Sequence, residues 1–300
     1  MNVKFRGFLA LLATSFFYGS FGIVVRTLNP YLTGNQMTFF RSIIVFLVIG
    51  IFLIIKKTYT LKVRKELWIY LFIHSATFTA TLFLFTYSVL LTSLSKSTFS
   101  FYSTTLITSL LVSVFIFKEE FSMKKGVSLI LAFSGLIFFI LPDGIKSIGL
   151  GMVLTGIAGI NDVVTNSMKK YLGGKVESIV LVFYQMLAGS IGGILLIIFS
   201  QQYTFTKPLD IFAIIWILVF ALGFFLLSSF VVYGFQHFDL NLGTIILSLE
   251  LVWATLIGYF LFQETLNIYQ IIAMGLITLS IVAMNWPSKK SELEASHQPT

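Results

Sequence analysis

The chain has 300 residues, 57% of them hydrophobic and only 11% charged, and its mean hydropathy is +0.95. A domain in water needs about 25% charged residues to coat its surface, so a soluble globule is excluded and lipid is the expected solvent. The net charge of +8 is spread over short connections and builds no basic face, so no nucleic-acid partner is expected; without cysteine there are no disulfides or thiolate metal sites, and no cofactor or metal is expected.

A helix crosses the bilayer in about 20 apolar residues. Ten such runs follow one another: Phe5–Leu28, Gln36–Ile55, Trp68–Leu91, Ser97–Phe117, Gly126–Leu141, Leu150–Met168, Ser178–Phe199, Phe212–Phe235, Leu242–Phe262 and Ile268–Asn285. All five prolines (Pro30, Pro142, Pro208, Pro287 and Pro299) fall between or after the runs, as suits a residue that breaks regular helices. The first run follows Lys4 and Arg6 but offers no clear A-x-A cleavage site, so it is expected to stay as a helix. The largely polar residues 287–300 are expected to form a disordered cytoplasmic tail.

The chain also repeats itself. Phe115, Phe117, Glu119 and Leu131 return as Phe260, Phe262, Glu264 and Leu276, each 145 positions on, and Gly7 returns as Gly151. A near-constant offset marks an internal duplication, with repeats at 1–141 and 150–286. Five helices per repeat is an odd number, so the second repeat enters the membrane with opposite polarity. The predicted fold is an all-α integral membrane protein of ten transmembrane helices, arranged as two inverted five-helix repeats, an architecture of transporters. With the N-terminus inside, fifteen Lys and Arg fall in inside segments, Lys169, Lys170 and Lys175 among them. Four fall outside, and Arg41 lies within a helix. The positive-inside rule then puts both termini in the cytoplasm and the chain in the cytoplasmic membrane, its cations against anionic lipid.

This pattern resembles the drug/metabolite transporter superfamily, specifically its EamA type, over about Phe5 to Trp286. The resemblance is carried by the five-plus-five repeat, by Gly19-Ser20 in the first helix and by Arg41 in the second. It is carried too by a doubled phrase that reads Glu119, Ser128, Gly135 and then Glu264, Ala273, Ser280. It departs from the family pattern at Tyr18, where Trp is common, and at Leu106 and Leu251, near which the family often has Pro in the fourth and ninth helices. The resemblance implies transport of small metabolites, often export of amino acids or related solutes.

Ionisable residues inside the runs cost about 2.5–3.5 kcal/mol each near the centre, so each is a candidate. Asp162 shares one helical face with Thr155, Ala158, Gly159, Thr165 and Asn166, a stripe that suits either a cavity wall or close packing. Glu250 has Trp253 on its side. A carboxylate there suits proton exchange or a substrate ammonium, or else a neutral hydrogen-bonded helix contact. Asp162 and Glu250 are the proton-coupling candidates. Arg41 suits a substrate carboxylate held bidentately, but also a pairing with Asp162 or Glu250, or an extension to the interface. His74 suits a structural role as well as a site. Thr98, Tyr102, Thr105, Ser109 and Ser113 line one face of the fourth run, and Tyr18, Tyr184 and Gln185 complete the expected cavity. Glu119 and Glu264 suit helix ends or pairing with loop cations. The nearly featureless fifth and tenth helices are expected at the periphery, against lipid or a second protomer in a homodimer.

The function expected is a secondary transporter that moves a small metabolite by alternating access, with a proton or another ion as its coupling partner. No Gly-rich loop ending in Gly-Lys-Ser is present to use ATP. A non-transporting scaffold or sensor is the alternative. An intramembrane enzyme is disfavoured, because no HExxH, G-x-S-x-G or paired-Asp motif lies in the helices.

Overall fold

A computed structural model describes residues 3–56, 62–92, 94–143, 149–263 and 265–285. Its α-helices are α1 (Val3–Leu28), α2 (Gly34–Lys56), α3 (Trp68–Leu91), α4 (Leu94–Phe115), α5 (Met123–Ile140), α6 (Leu150–Leu172), α7 (Ser178–Phe199), α8 (Ile211–His237), α9 (Leu240–Leu247), α10 (Glu250–Phe262) and α11 (Ile268–Asn285). No strand occurs among the described residues. Glu264 and the tail 287–300 lie outside them.

Nine of the ten runs form single helices, and the ninth is divided. Leu242–Phe262 is expected as one helix, yet α9 and α10 are separated at Ser248 and Leu249. Both residues take tight helical angles, φ −62°, ψ −15° and φ −59°, ψ −17°, close to 3₁₀ geometry. The Leu249 and Leu251 N–H groups bond three residues back, to Ile246 and Ser248, at 3.1 Å each. At the division the Ser248 hydroxyl donates to the Ile245 carbonyl at 2.7 Å, a back-bond of the kind that often accompanies a bend. α4, equally free of proline at Leu106, runs unbroken.

The repeated phrase has a backbone meaning. Lys118 and Gln263, 145 positions apart, both adopt the left-handed conformation, at φ 52° and 55°. Each follows the end of a helix, where a left-handed residue redirects the chain. Glu119 is thereby released from the helix and turns to its neighbours.

The principal helix pairs join the two halves of the chain: α3 with α6, α1 with α8, α2 with α7, α5 with α11, α4 with α6 and α1 with α10. Close approach needs small residues. A side chain at Gly159 would stand 2.5 Å from the Phe101 carbonyl of α4, and one at Gly193 would stand 2.9 Å from Phe39 Cα of α2. The outer surface is apolar, with Ile54 and Phe199 at 75% and 80% exposure, as a lipid-facing surface requires. Among the described residues, eight helical spans, one of them α9 and α10 together, are long and apolar enough to cross a membrane. α6 carries Asn161, Asp162 and Asn166 and is not among them. Its small and polar face packs against α3, α4, α8 and α9, while Val153, Ile157 and Ile160 on the other face are exposed.

Candidate functional site

The helix break positions the first acid. Glu250 is the opening residue of α10, and its carboxylate accepts a short hydrogen bond from the Tyr102 hydroxyl of α4. That hydroxyl also lies 3.4 Å from the Leu247 carbonyl at the end of α9. Tyr18 of α1 is within electrostatic reach of Glu250, Asp162 and Arg41, and Tyr102 is within reach of Asp162. Tyr18 thus lies between Arg41 of α2 and the acids of α6 and α10, while Arg41 itself reaches neither acid.

Arg41 enters this group without an ion pair to any described carboxylate. Its guanidinium stacks on the buried rings of Phe224 and Phe220, at 4.3 and 5.4 Å from their centroids, and its Nε is buried with no hydrogen-bond partner. Stacking on aromatic faces holds a weakly hydrated guanidinium inside the bundle. Trp253, expected beside Glu250, turns to α1, where its Nε1–H donates to Ser15 Oγ at 3.2 Å.

Asp162 is built differently. Its Oδ2 accepts from Asn166 Nδ2 at 2.8 Å, and Asn166 Oδ1 accepts from Lys169 Nζ at 2.8 Å. Lys169 is only 3% exposed. It is therefore an interior cation and not one of the loop cations with which the sequence count groups it. The available signal was spacing: Asp162, Asn166 and Lys169 stand at i, i+4 and i+7 on one face.

His74 is fully buried and faces the same helix. Its Nδ1 donates to the Thr165 carbonyl at 3.3 Å, and Thr77 and Thr165 share a 2.7 Å hydroxyl contact. Gln185 of α7 faces the His74 ring without closing to bonding geometry. His74 Nε2 and both amide atoms of Gln185 are buried without partners.

The remaining candidates are placed elsewhere. Tyr184 packs edge-on against Trp68 at 5.3 Å. The α4 stripe is buried, and its hydroxyls mostly return to their own helix: Thr105 to the Phe101 carbonyl at 2.6 Å, Ser113 to that of Leu110 at 2.9 Å. In α6, Thr155, Ala158 and Gly159 are packing positions against α3 and α4. A small cleft between α2, α3 and α7, lined by Thr38, Thr79, Phe83 and Gly189, contains none of the candidates.

Polar clasps close both ends of the bundle. At one, the Glu119 carboxylate pairs with Lys170 and with Lys125 at 3.6 Å and accepts the Leu240 N–H at 3.0 Å, while Lys4 pairs with Asp239 at 3.1 Å. At the other, Gln36 donates to the carbonyls of Gln202 and Thr204. There Asp210 accepts from Tyr31 at 3.0 Å and from the Ala213 N–H at 2.7 Å. The Ala213 N–H chiefly holds the Asp210 carboxyl below its usual range, and the hydrogen bond to Asp210 pushes the Tyr31 hydroxyl up.

Comparison with known proteins gives one family. A model of the EamA-like transporter family matches the chain twice, at residues 5–141 and 145–286. No curated protein matches it. One solved structure, titled only "Crystal structure of protein", aligns with a TM-score of 0.75 over 97% of this chain and 98% of its own, at 14% identity; at that identity the likeness concerns the fold.

Proposed function

The chain belongs to the EamA-like transporter family, and from that membership we propose that it is a secondary carrier of small solutes bearing both an ammonium and a carboxylate, such as amino acids, working in export across the cytoplasmic membrane with both termini inside. The observation that carries this reading is the pair of interior charges without opposite-charge partners. Among the described residues Arg41 has rings and no acid, and Glu250 has a hydroxyl and no base. Arg41 would take the solute carboxylate as a bidentate pair and Glu250 the ammonium. The two residues come from different halves of the chain, 1–141 and 150–286, which we take as inverted repeats whose rocking alternates access. Glu250 also serves as the proton carrier, since a carboxylate relieved of its solute in a sheltered site is a natural place to bind one. Asp162, already bound to Asn166 and near Lys169, is the less exchangeable acid. The outer faces of α5 and α11 are left to lipid or to a second copy.

The test is counterflow in proteoliposomes with a panel of labelled amino acids, sugars, nucleosides and organic acids. The expected result is saturable movement of amino acids over the other classes. Folded protein that moves no solute would return the chain to a scaffold or sensor, and turnover of lipid without solute flux would make it an enzyme.

A further inference from the structure

Lys169 stands in the last turn of α6, where a lysine ordinarily extends its ammonium to the membrane surface. Here the side chain runs the other way. Helical side chains lean toward the N-terminal end of their helix, so Lys169 reaches back over Asn166 toward Asp162, on the face of α6 that packs against its neighbours. One carboxamide serves both charges: Asn166 receives from Lys169 through Oδ1 and gives to Asp162 through Nδ2. Such an arrangement fixes the amide's orientation and holds the two charges in register on a single helix. His74 of α3 lies within reach of the ammonium, and Tyr18 and Tyr102 lie within reach of the carboxylate.

The interior charges of these helices are Arg41 and Lys169 against Asp162 and Glu250, linked through Asp162 and the two tyrosines. Resting on the carrier reading above, we propose that Lys169 is a specificity-determining residue: it balances Asp162, and so sets the net charge of the solute that the site accepts. Unscreened charge in a sheltered site calls for an opposite charge in whatever binds there. Without Lys169 the group carries one excess negative charge and favours a cation. Without the Asp162 charge it carries one excess positive charge and favours an anion. Without both, the balance returns.

The test uses wild type, Lys169→Gln, Lys169→Arg, Asp162→Asn and the Asp162→Asn/Lys169→Gln double variant in proteoliposomes at one pH. The probes are an amino acid from the panel, its decarboxylated amine and its N-acetyl derivative, read as ratios of initial rates. Lys169→Gln raises the amine ratio by about tenfold or more, the scale of one charge acting over several ångströms. Asp162→Asn raises the N-acetyl ratio comparably. Lys169→Arg and the double variant keep the wild-type order. If Lys169→Gln does not fold, Asp162→Asn and the double variant carry the same test. Wild type that moves the amino acid, with variants that lose rate at unchanged ratios, overturns the role of Lys169 alone. Wild type that moves none of the three probes overturns the carrier reading and this inference with it.

Discussion

Two sets of charge lie inside the bundle, built on opposite plans. Asp162, Asn166 and Lys169 occupy one face of one helix, and each polar group there has a hydrogen-bond partner. Arg41 and Glu250 come from α2 and α10, and neither touches an opposite charge among the described residues. The first set is satisfied by its own helix and provides a steady background. The second is incomplete without something that can be exchanged. A buried charge without an opposite charge is costly, and this cost is the ground on which the carrier reading assigns Arg41 and Glu250 to the solute.

Removing the open set should give the largest effect. Arg41→Met is expected to lower flux about a hundredfold, the scale of losing one partner of a buried charge pair. The same change should leave stability in detergent unchanged or raise it, since it removes an interior charge that has no opposite charge to lose. A loss of both flux and stability would mean that Arg41 is structural and that the two sets are not different in kind. Tyr102→Phe comes next. It leaves Glu250 without its hydroxyl donor, a hydrogen bond to a charged group worth about 1.5–3 kcal/mol, and should slow flux about tenfold in the same liposomes. Unchanged flux would remove Tyr102 from the site.

Smaller effects are expected at the clasps, which hold the ends and not the centre. Glu119→Gln weakens two lysine contacts at once and should cost about 1 kcal/mol in a detergent unfolding curve, with solute preference unchanged; altered preference would tie that clasp to the central group. The smallest effect is at Asp210. Its folded carboxyl is held below its usual range, so its contribution is present above the unfolded value near pH 4 and is lost as pH falls through the lower folded value. Asp210→Asn should therefore flatten the acid limb of Tm against pH, and an unaltered limb would show that the contact at this exposed end stabilises nothing.

Much of this was legible in the sequence. The ten apolar runs are helical, and the doubled phrase reappears as a matched pair of left-handed residues at Lys118 and Gln263. Other features were hidden for physical reasons. The division between α9 and α10 has neither Pro nor Gly to announce it, and the serine back-bond to Ile245 found there has counterparts in the unbroken α4. Lys169 sits beside Lys170, which does pair at the end of the bundle. Adjacent residues on a helix point about 100° apart, so two neighbouring lysines can have opposite fates. The α4 hydroxyls show the limit of periodicity: spacing identifies a shared face, but Thr105 and Ser113 satisfy their own helix, and only Tyr102 extends far enough to meet Glu250.

The most direct test of the open set is amino acid flux into proteoliposomes with and without an imposed pH gradient, for wild type and Glu250→Gln. If Glu250 exchanges a proton for the solute, wild type responds to the gradient and Glu250→Gln, still folded, does not. Selective flux that ignores the gradient in wild type, or a gradient response that survives in Glu250→Gln, would contradict it.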